Sequence, residues 1–227
     1  MDPALVNLIA ASVGFVGTHF ALSHPLRAPL VRALGEKGFA GAYSLVALAT
    51  FGWMIWAFRR VAPYGMDLWD GYDEVSWTLA SLLTIIALVL FLGSLRGNPA
   101  LPGAHPQAAQ ADPRGVFRVT RHPMMWGFAL WALAHIMVAP TGRTLVLGLA
   151  IGFLALVGAH LQDRKKRTLM GDGWAAWEAK TNYWPRWRHL FGADLGLWAV
   201  AIALWLALTW AHIPLAYVPA GVWRWVG

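Results

Sequence analysis

The residues of this sequence best suited to chemistry are its eight histidines: His19, His24, His105, His122, His135, His160, His189 and His212. Neutral imidazole is the commonest protein ligand for metals and a general acid or base near neutral pH. The chain contains no cysteine, which excludes disulfides, thiolate catalysis and Cys-ligated zinc. Several of the histidines fall within or at the ends of long apolar runs. An ionisable side chain inside lipid is costly, so each of these is a functional candidate by default.

The elements that must position them are membrane helices. Of 227 residues, 58% are hydrophobic and 13% are charged, against about 25% charged in a soluble domain. Fifteen tryptophans suit a protein with two lipid–water interfaces. Six stretches approach the roughly 20 apolar residues that a spanning helix needs: Ala4–Leu22, Phe39–Phe58, Val75–Gly93, Met124–Ala139, Thr144–Leu161 and Gly196–Ile213. The expectation is an all-α polytopic membrane protein of about six transmembrane helices, forming a single domain over residues 1–227. The fourth stretch is the shortest. Nothing before Ala4 resembles a signal-peptide n-region, so the first span is expected to be retained. There is no internal repeat and no low-complexity segment.

Loop charge sets the direction. With the N-terminus outside, the inner loops hold Arg27, Arg32 and Lys37, then Arg96, Arg114, Arg118 and Arg121. The last inner loop adds Arg164, Lys165, Lys166, Arg167, Lys180, Arg186 and Arg188, giving 14 of the 18 basic residues. Only Arg59, Arg60, Arg143 and Arg224 lie outside. This bias orients the chain and accounts for the net charge of +7 without a nucleic-acid partner; the partner it implies is the lipid bilayer. Two connections are long. Ser94–Pro123 is punctuated by Asn98-Pro99, Pro102-Gly103, His105-Pro106 and Asp112-Pro113, which read as turns. Gln162–Asp194 opens with Gln-Asp-Arg-Lys-Lys-Arg and continues through Trp174, Trp177 and Tyr183. Its first half reads as a helix lying at the cytoplasmic interface, basic on one side and aromatic on the other.

Each histidine has a functional and a structural reading. His19 lies near the inner end of the first span, as a ligand or as an interfacial group bonded to a carbonyl. His122, in Arg121-His122-Pro123, stands where the fourth helix begins, because proline fits the first helical turn. Free N–H groups there favour an anion; the plainer reading is a basic flank. His135, inside the fourth span, is the most deeply placed, as a ligand or catalyst or as an interhelical hydrogen bonder. His160 ends the fifth span one turn before Asp163, which could orient its ring. His24, His105, His189 and His212 read as loop or interface residues. At ~1.5 Å per residue, His19, His122 and His160 form an inner-face group, and His135 stands apart from His19 by ~15 Å along the membrane normal.

Ordered motifs carry a family likeness. They are His19 with Ser23 and Leu26-Arg27, Leu34-Gly35-Glu36, Ala42-Tyr43-Ser44-Leu45, Gly97-Asn98-Pro99 and Gly115-Val-Phe-Arg-Val-Thr-Arg-His-Pro123. The strongest runs from Arg121 through Trp131 to His135, followed by Leu161-Gln-Asp-Arg-Lys-Lys-Arg167. Over nearly its whole length the chain resembles the NnrU family of bacterial membrane proteins, related to plant 15-cis-ζ-carotene isomerase. That resemblance implies a bacterial inner-membrane protein with periplasmic termini, linked to denitrification or to cis–trans isomerisation of a hydrophobic polyene. It implies haem b, with the two ligand positions falling on His19 and His135, and a polyene or a denitrification enzyme as partner. The plant pattern places a cysteine three residues before the second histidine; here that residue is Ala132. Given such a haem, Arg118 and Arg121 are candidate propionate partners, and His122 is an alternative inner-face ligand beside His19.

A second likeness is to membrane methyltransferases of the isoprenylcysteine type. Arg121-His122-Pro123, Asp163 through Gly171, Trp174, Trp177, Glu178 and Pro185 are similar to the region that binds S-adenosylmethionine at the cytoplasmic face there. A Glu-Glu pair is usual at the place of Gln162-Asp163. The readings therefore span a haem-dependent isomerase, an adenosylmethionine-dependent enzyme and a non-catalytic assembly partner of a denitrification enzyme.

Overall fold

The computed structural model describes residues 2–63, 67–101, 104 and 106–226. Pro102-Gly103 and His105, read above as loop residues, lie outside that set. The described chain is helical, in the order α1 (Pro3–Ser23), α2 (Arg27–Arg60), α3 (Glu74–Gly93), α4 (Pro123–Val138), α5 (Gly142–Met170), α6 (Asp172–Lys180) and α7 (Leu195–Ala216). Among the described residues α1, α2, α3, α5 and α7 are long and apolar enough to cross a membrane, and α4 is a shorter apolar helix. The chain is thus a polytopic all-α membrane protein.

Local chemistry sets the helix ends. Asp2, Asp73 and Asp194 cap α1, α3 and α7 by accepting backbone N–H bonds in the first turn. Thr141 does the same for α5. α4 starts at Pro123 and ends at Val138; Ala139, at φ −140° and ψ 68°, is non-helical, in keeping with the bias against helix in the residue before a proline. Its 16 residues reach only ~24 Å at 1.5 Å per residue, short of a ~30 Å hydrocarbon core. α4 tolerates this because it packs between α3 and α5.

Two boundaries differ from the sequence reading. The first inner loop is helical: α2 begins at Arg27 and breaks at Gly35, where φ is +70°. Only glycine adopts that conformation cheaply, so a basic segment lies at an angle to the span that follows. The expected interfacial helix is instead the continuation of α5 to Met170. Gly171, at φ +52°, then turns the chain into α6. The α6 aromatics do not face lipid: Trp174 and Trp177 are buried in the core against Phe117, Val119 and Leu190.

Contacts define two ends. At one, Leu68 N bonds Pro140 O, Trp69 bonds Met137 O, and Arg224 bonds Tyr72 O. At the other, the 3-10 turns Pro106–Ala109, Gly115–Arg118 and Trp187–Gly192 and helix α6 gather around the ends of α3 and α5. This second end carries most of the basic residues.

Candidate functional site

The densest polar cluster sits at the basic end, where α4 begins. His122 occupies the N-cap position without making a side-chain cap bond. Its ring is fully buried and its Nε2 lies 2.7 Å from Asp163 Oδ1. A carboxylate only accepts, so Nε2–H donates and Nδ1 is the open nitrogen. Arg121 grips the same carboxylate through Nε at 2.9 Å and NH2 at 2.6 Å. Glu178 on α6 lies 3.5 Å from the Arg121 guanidinium and binds Arg167 twice, at 2.7 Å. The result is a charge ladder, Arg167–Glu178–Arg121–Asp163–His122, that runs from the surface into the core. The anion expected at this helix N-terminus is therefore the protein's own Asp163, supplied by α5.

Neighbouring bonds hold the ladder in place. Thr120 Oγ1 donates to Tyr183 O at 2.7 Å, and Trp126 Nε1 donates to the same carbonyl at 3.0 Å. Tyr183 in turn donates its hydroxyl to Leu156 O at 2.6 Å. Burial, and then the Asp163 charge, push the Tyr183 phenol above its usual range. Lys166, buried on α5 three residues after Asp163, donates to Pro99 O and Leu101 O at 2.8 and 3.0 Å. Among the described residues His122 Nδ1 has no hydrogen-bond partner. His122 lines a cavity of about 20 Å³ with Asn98, Ala100, Leu101, Met124, Met125 and Gln162, a volume that suits one water molecule.

The intramembrane histidines lie elsewhere. His19 donates from Nδ1 to Phe15 O at 2.7 Å, and its ring meets Phe15 and Tyr43. His135 donates from Nδ1 to Trp131 O at 2.8 Å and packs its ring on Trp131. Each ring is thereby fixed with Nε2 as its open nitrogen, the orientation that a metal-bound imidazole has when its other nitrogen is tied to a carbonyl. Among the described residues no contact joins His19 to His135. His135 instead faces His212 of α7, with ring centroids 6.3 Å apart. His212 is tied by Nδ1 to Leu208 O at 2.7 Å.

Haem b needs imidazole nitrogens free to bind iron, and His19, His135 and His212 all offer one. By donor chemistry His135, with His212 as its neighbouring imidazole, would be able to hold such a group. His19 offers the right donor, on the α1–α2 side. His212 was read from sequence as an interface residue. Its signal was an imidazole in the last apolar turns of α7, at the same end of the bundle as His135.

The remaining sequence candidates separate. Arg121 is committed to Asp163. Arg118 is exposed at the end of the 3-10 turn Gly115–Arg118. Asp163 does not orient the exposed His160, because its carboxylate oxygens are taken by Arg121 and His122. Among the described residues no three His, Cys, Asp or Glu side chains gather as a metal site.

The comparisons agree with this architecture. The chain is 30% identical over 193 residues to "15-cis-zeta-carotene isomerase, chloroplastic" of Zea mays. That match covers 81% of this chain and 50% of the maize protein, so the chain spans half the length of that relative. No solved structure matches. The family model described as "NnrU protein" matches residues 7–220, nearly the whole helical bundle, and the chain belongs to the NnrU family.

Proposed function

We propose that this protein is a haem b-binding membrane isomerase that resets a cis double bond in a long apolar polyene. The observation that carries this reading is the 30% identity to the maize isomerase across 81% of the chain. A polyene is hydrocarbon, so it dissolves in the bilayer and reaches the protein sideways, between apolar helices, without an aqueous channel. His135 would hold the haem, with His212 as the second imidazole in the arrangement described and His19 as the competing ligand. When bound, haem supplies an iron centre whose behaviour is set by its axial ligands and the polarity around it.

The chain's own residues do the positioning. The Trp131 carbonyl fixes the His135 tautomer, and the Trp131 ring limits its rotation. Ala132 stands one turn before His135, so no thiolate there would compete with the imidazole. The buried Arg121–Asp163–His122 ladder anchors the inner end of α4 and so fixes the height of His135. The loop charges support a bacterial inner membrane with the basic end in the cytoplasm and both termini in the periplasm.

A second reading has one observation of its own. Arg121, His122, Asp163 and Glu178, which the methyltransferase likeness groups, do assemble. It ranks second because both carboxylates are already engaged by arginine, and the cavity beside His122 is about 20 Å³, far below an adenosylmethionine.

The test is a visible spectrum with a pyridine haemochrome assay on protein purified in mild detergent from haem-replete cells. A stoichiometric b-type spectrum that His135→Ala abolishes is the expected result. Loss with His212→Ala identifies the second ligand as the α7 imidazole, and loss with His19→Ala instead moves it to α1. A colourless protein overturns the haem reading, and labelled adenosylmethionine binding then tests the second.

A further inference from the structure

Among the described residues four cations at the basic end have a carboxylate partner. Arg27 pairs with Glu36, Arg121 with Asp163 and Glu178, Arg167 with Glu178, and Lys180 with Asp112. Among the described residues Arg118, Arg186 and Arg188 have no carboxylate partner. Arg186 donates to Asn182 Oδ1 at 3.1 Å, and Arg188 donates to His189 Nε2 at 3.3 Å. The carboxylate nearest to Arg188 in sequence, Asp194, is turned to the N-terminus of α7, where it accepts from Leu197 N at 3.1 Å.

The fold brings these three arginines together. Arg118 ends one 3-10 turn, and Arg186 and Arg188 flank the start of another, Trp187–Gly192. The two turns pack on each other, and Arg186 N donates to Val119 O at 2.8 Å. Their charges meet at His189, whose pKa is held below the usual range by desolvation and then by Arg188, Arg118 and Arg186.

Beside the cations is an apolar shelf. Trp184 is 70% exposed, Trp187 44% and Phe191 84%. Trp184 and Trp187 rest on Trp126, with ring centroids 5.4 and 6.4 Å away. Leu195, the first residue of α7, follows within a few positions, so the shelf sits where a spanning helix enters the lipid. Indole rings settle at this depth, and guanidinium groups bind phosphate through paired N–H donors.

We propose that Arg118, Arg186 and Arg188 form a binding site for the headgroup phosphate of an anionic phospholipid, whose glycerol and upper acyl chains lie on Trp184, Trp187 and Phe191. The chemistry selects a lipid: a free phosphate would engage the arginines and gain nothing from the exposed rings. A zwitterionic lipid carries a cation that the three arginines repel. Three like charges on one face attract an anion more strongly than a single arginine would, which gives the site a preference for an anionic headgroup.

The test is native mass spectrometry of the full chain in detergent, titrated with equal amounts of short-chain phosphatidylglycerol and phosphatidylcholine. The expected result is about a tenfold preference for phosphatidylglycerol. In R118Q/R186Q/R188Q it falls to near parity, and in R32Q/K37Q, which removes exposed cations of α2, it persists. Circular dichroism checks that each variant keeps its helices; if the triple variant does not, R188Q alone is expected to cut the preference about threefold. Retention of the full preference in the arginine variants overturns the proposal. So does equal displacement of the lipid by millimolar inorganic phosphate, which would make this a free-anion site.

Discussion

His122 Nε2 and Asp163 Oδ1, 2.7 Å apart and both buried, join the start of α4 to the C-terminal third of α5. The bond lies where a 16-residue helix too short to span lipid on its own must be held at a fixed height between two longer neighbours. Arg121 on the same carboxylate makes the site a three-member unit.

Replacing Asp163 tests that unit. Asp163→Ala leaves Arg121 and His122 buried without their acceptor, and losing one partner of a buried pair costs about 3–5 kcal/mol. Asp163→Asn keeps the shape and part of the hydrogen bonding and should cost less. Thermal unfolding in detergent, followed by circular dichroism, should rank wild type above Asn above Ala. Equal melting temperatures for all three would show that the network contributes nothing to stability.

Lys166 should govern the loop after α3. Its ammonium is buried and donates to the carbonyls of Pro99 and Leu101, and each charge-assisted bond contributes about 1.5–3 kcal/mol. Lys166→Met keeps the apolar stem and removes the donor. Hydrogen exchange should then rise at Asn98–Leu101, where the bonds left are Ala100 N to the Asn98 side chain, Leu101 N to Asn98 O and Gln162 to Ala100 O. Unchanged exchange there would assign the turn's order to something other than Lys166.

Two glycines should respond differently to alanine. A Cβ at Gly127 would lie 2.8 Å from the backbone oxygen of Ala87, so α3 and α4 would have to separate. At Gly148 the nearest atoms are the tip of the Ile136 side chain, at 2.7 and 2.8 Å, which can rotate. Gly127→Ala is therefore expected to destabilise by about 1–3 kcal/mol and Gly148→Ala by less. Small residues matter at such helix contacts because they let backbones approach closely. The reverse order of melting temperatures would contradict the packing described.

Acid should loosen the tether of the segment around Asp112 before it affects the bundle. The hydrogen bond and charge of Lys180 hold the Asp112 carboxyl below its ordinary value. A folded-state pKa that is depressed stabilises above the unfolded value and loses that contribution as pH falls through the folded one. The pair is exposed, so the effect is local. Proteolysis near Asp112 should increase below about pH 4 in wild type, and Asp112→Asn should show the faster rate already at pH 7 with little further acid dependence.

Much of this protein follows from its sequence alone. Long apolar runs in a chain with few charges have one stable solvent, and helices are the means of satisfying their backbone polar groups there. Pro123 marked the start of α4, and the basic residues marked one end of the bundle. The ordered motifs from His19 to Arg167 pointed to the NnrU family. What lay beyond the sequence was pairing between segments far apart in the chain. One turn of helix made His160 the natural neighbour of Asp163, yet Asp163 points across to Arg121 and His122, 42 and 41 positions away. His135 faces His212 because α4 and α7 bring their C-terminal ends together, which no local spacing encodes. The α6 tryptophans looked interfacial by composition and proved buried, because the break at Gly171 turns that helix back onto the core. Local hydropathy fixes which segments enter the membrane; which side chains meet inside it depends on helix rotation and height, and those are settled by packing.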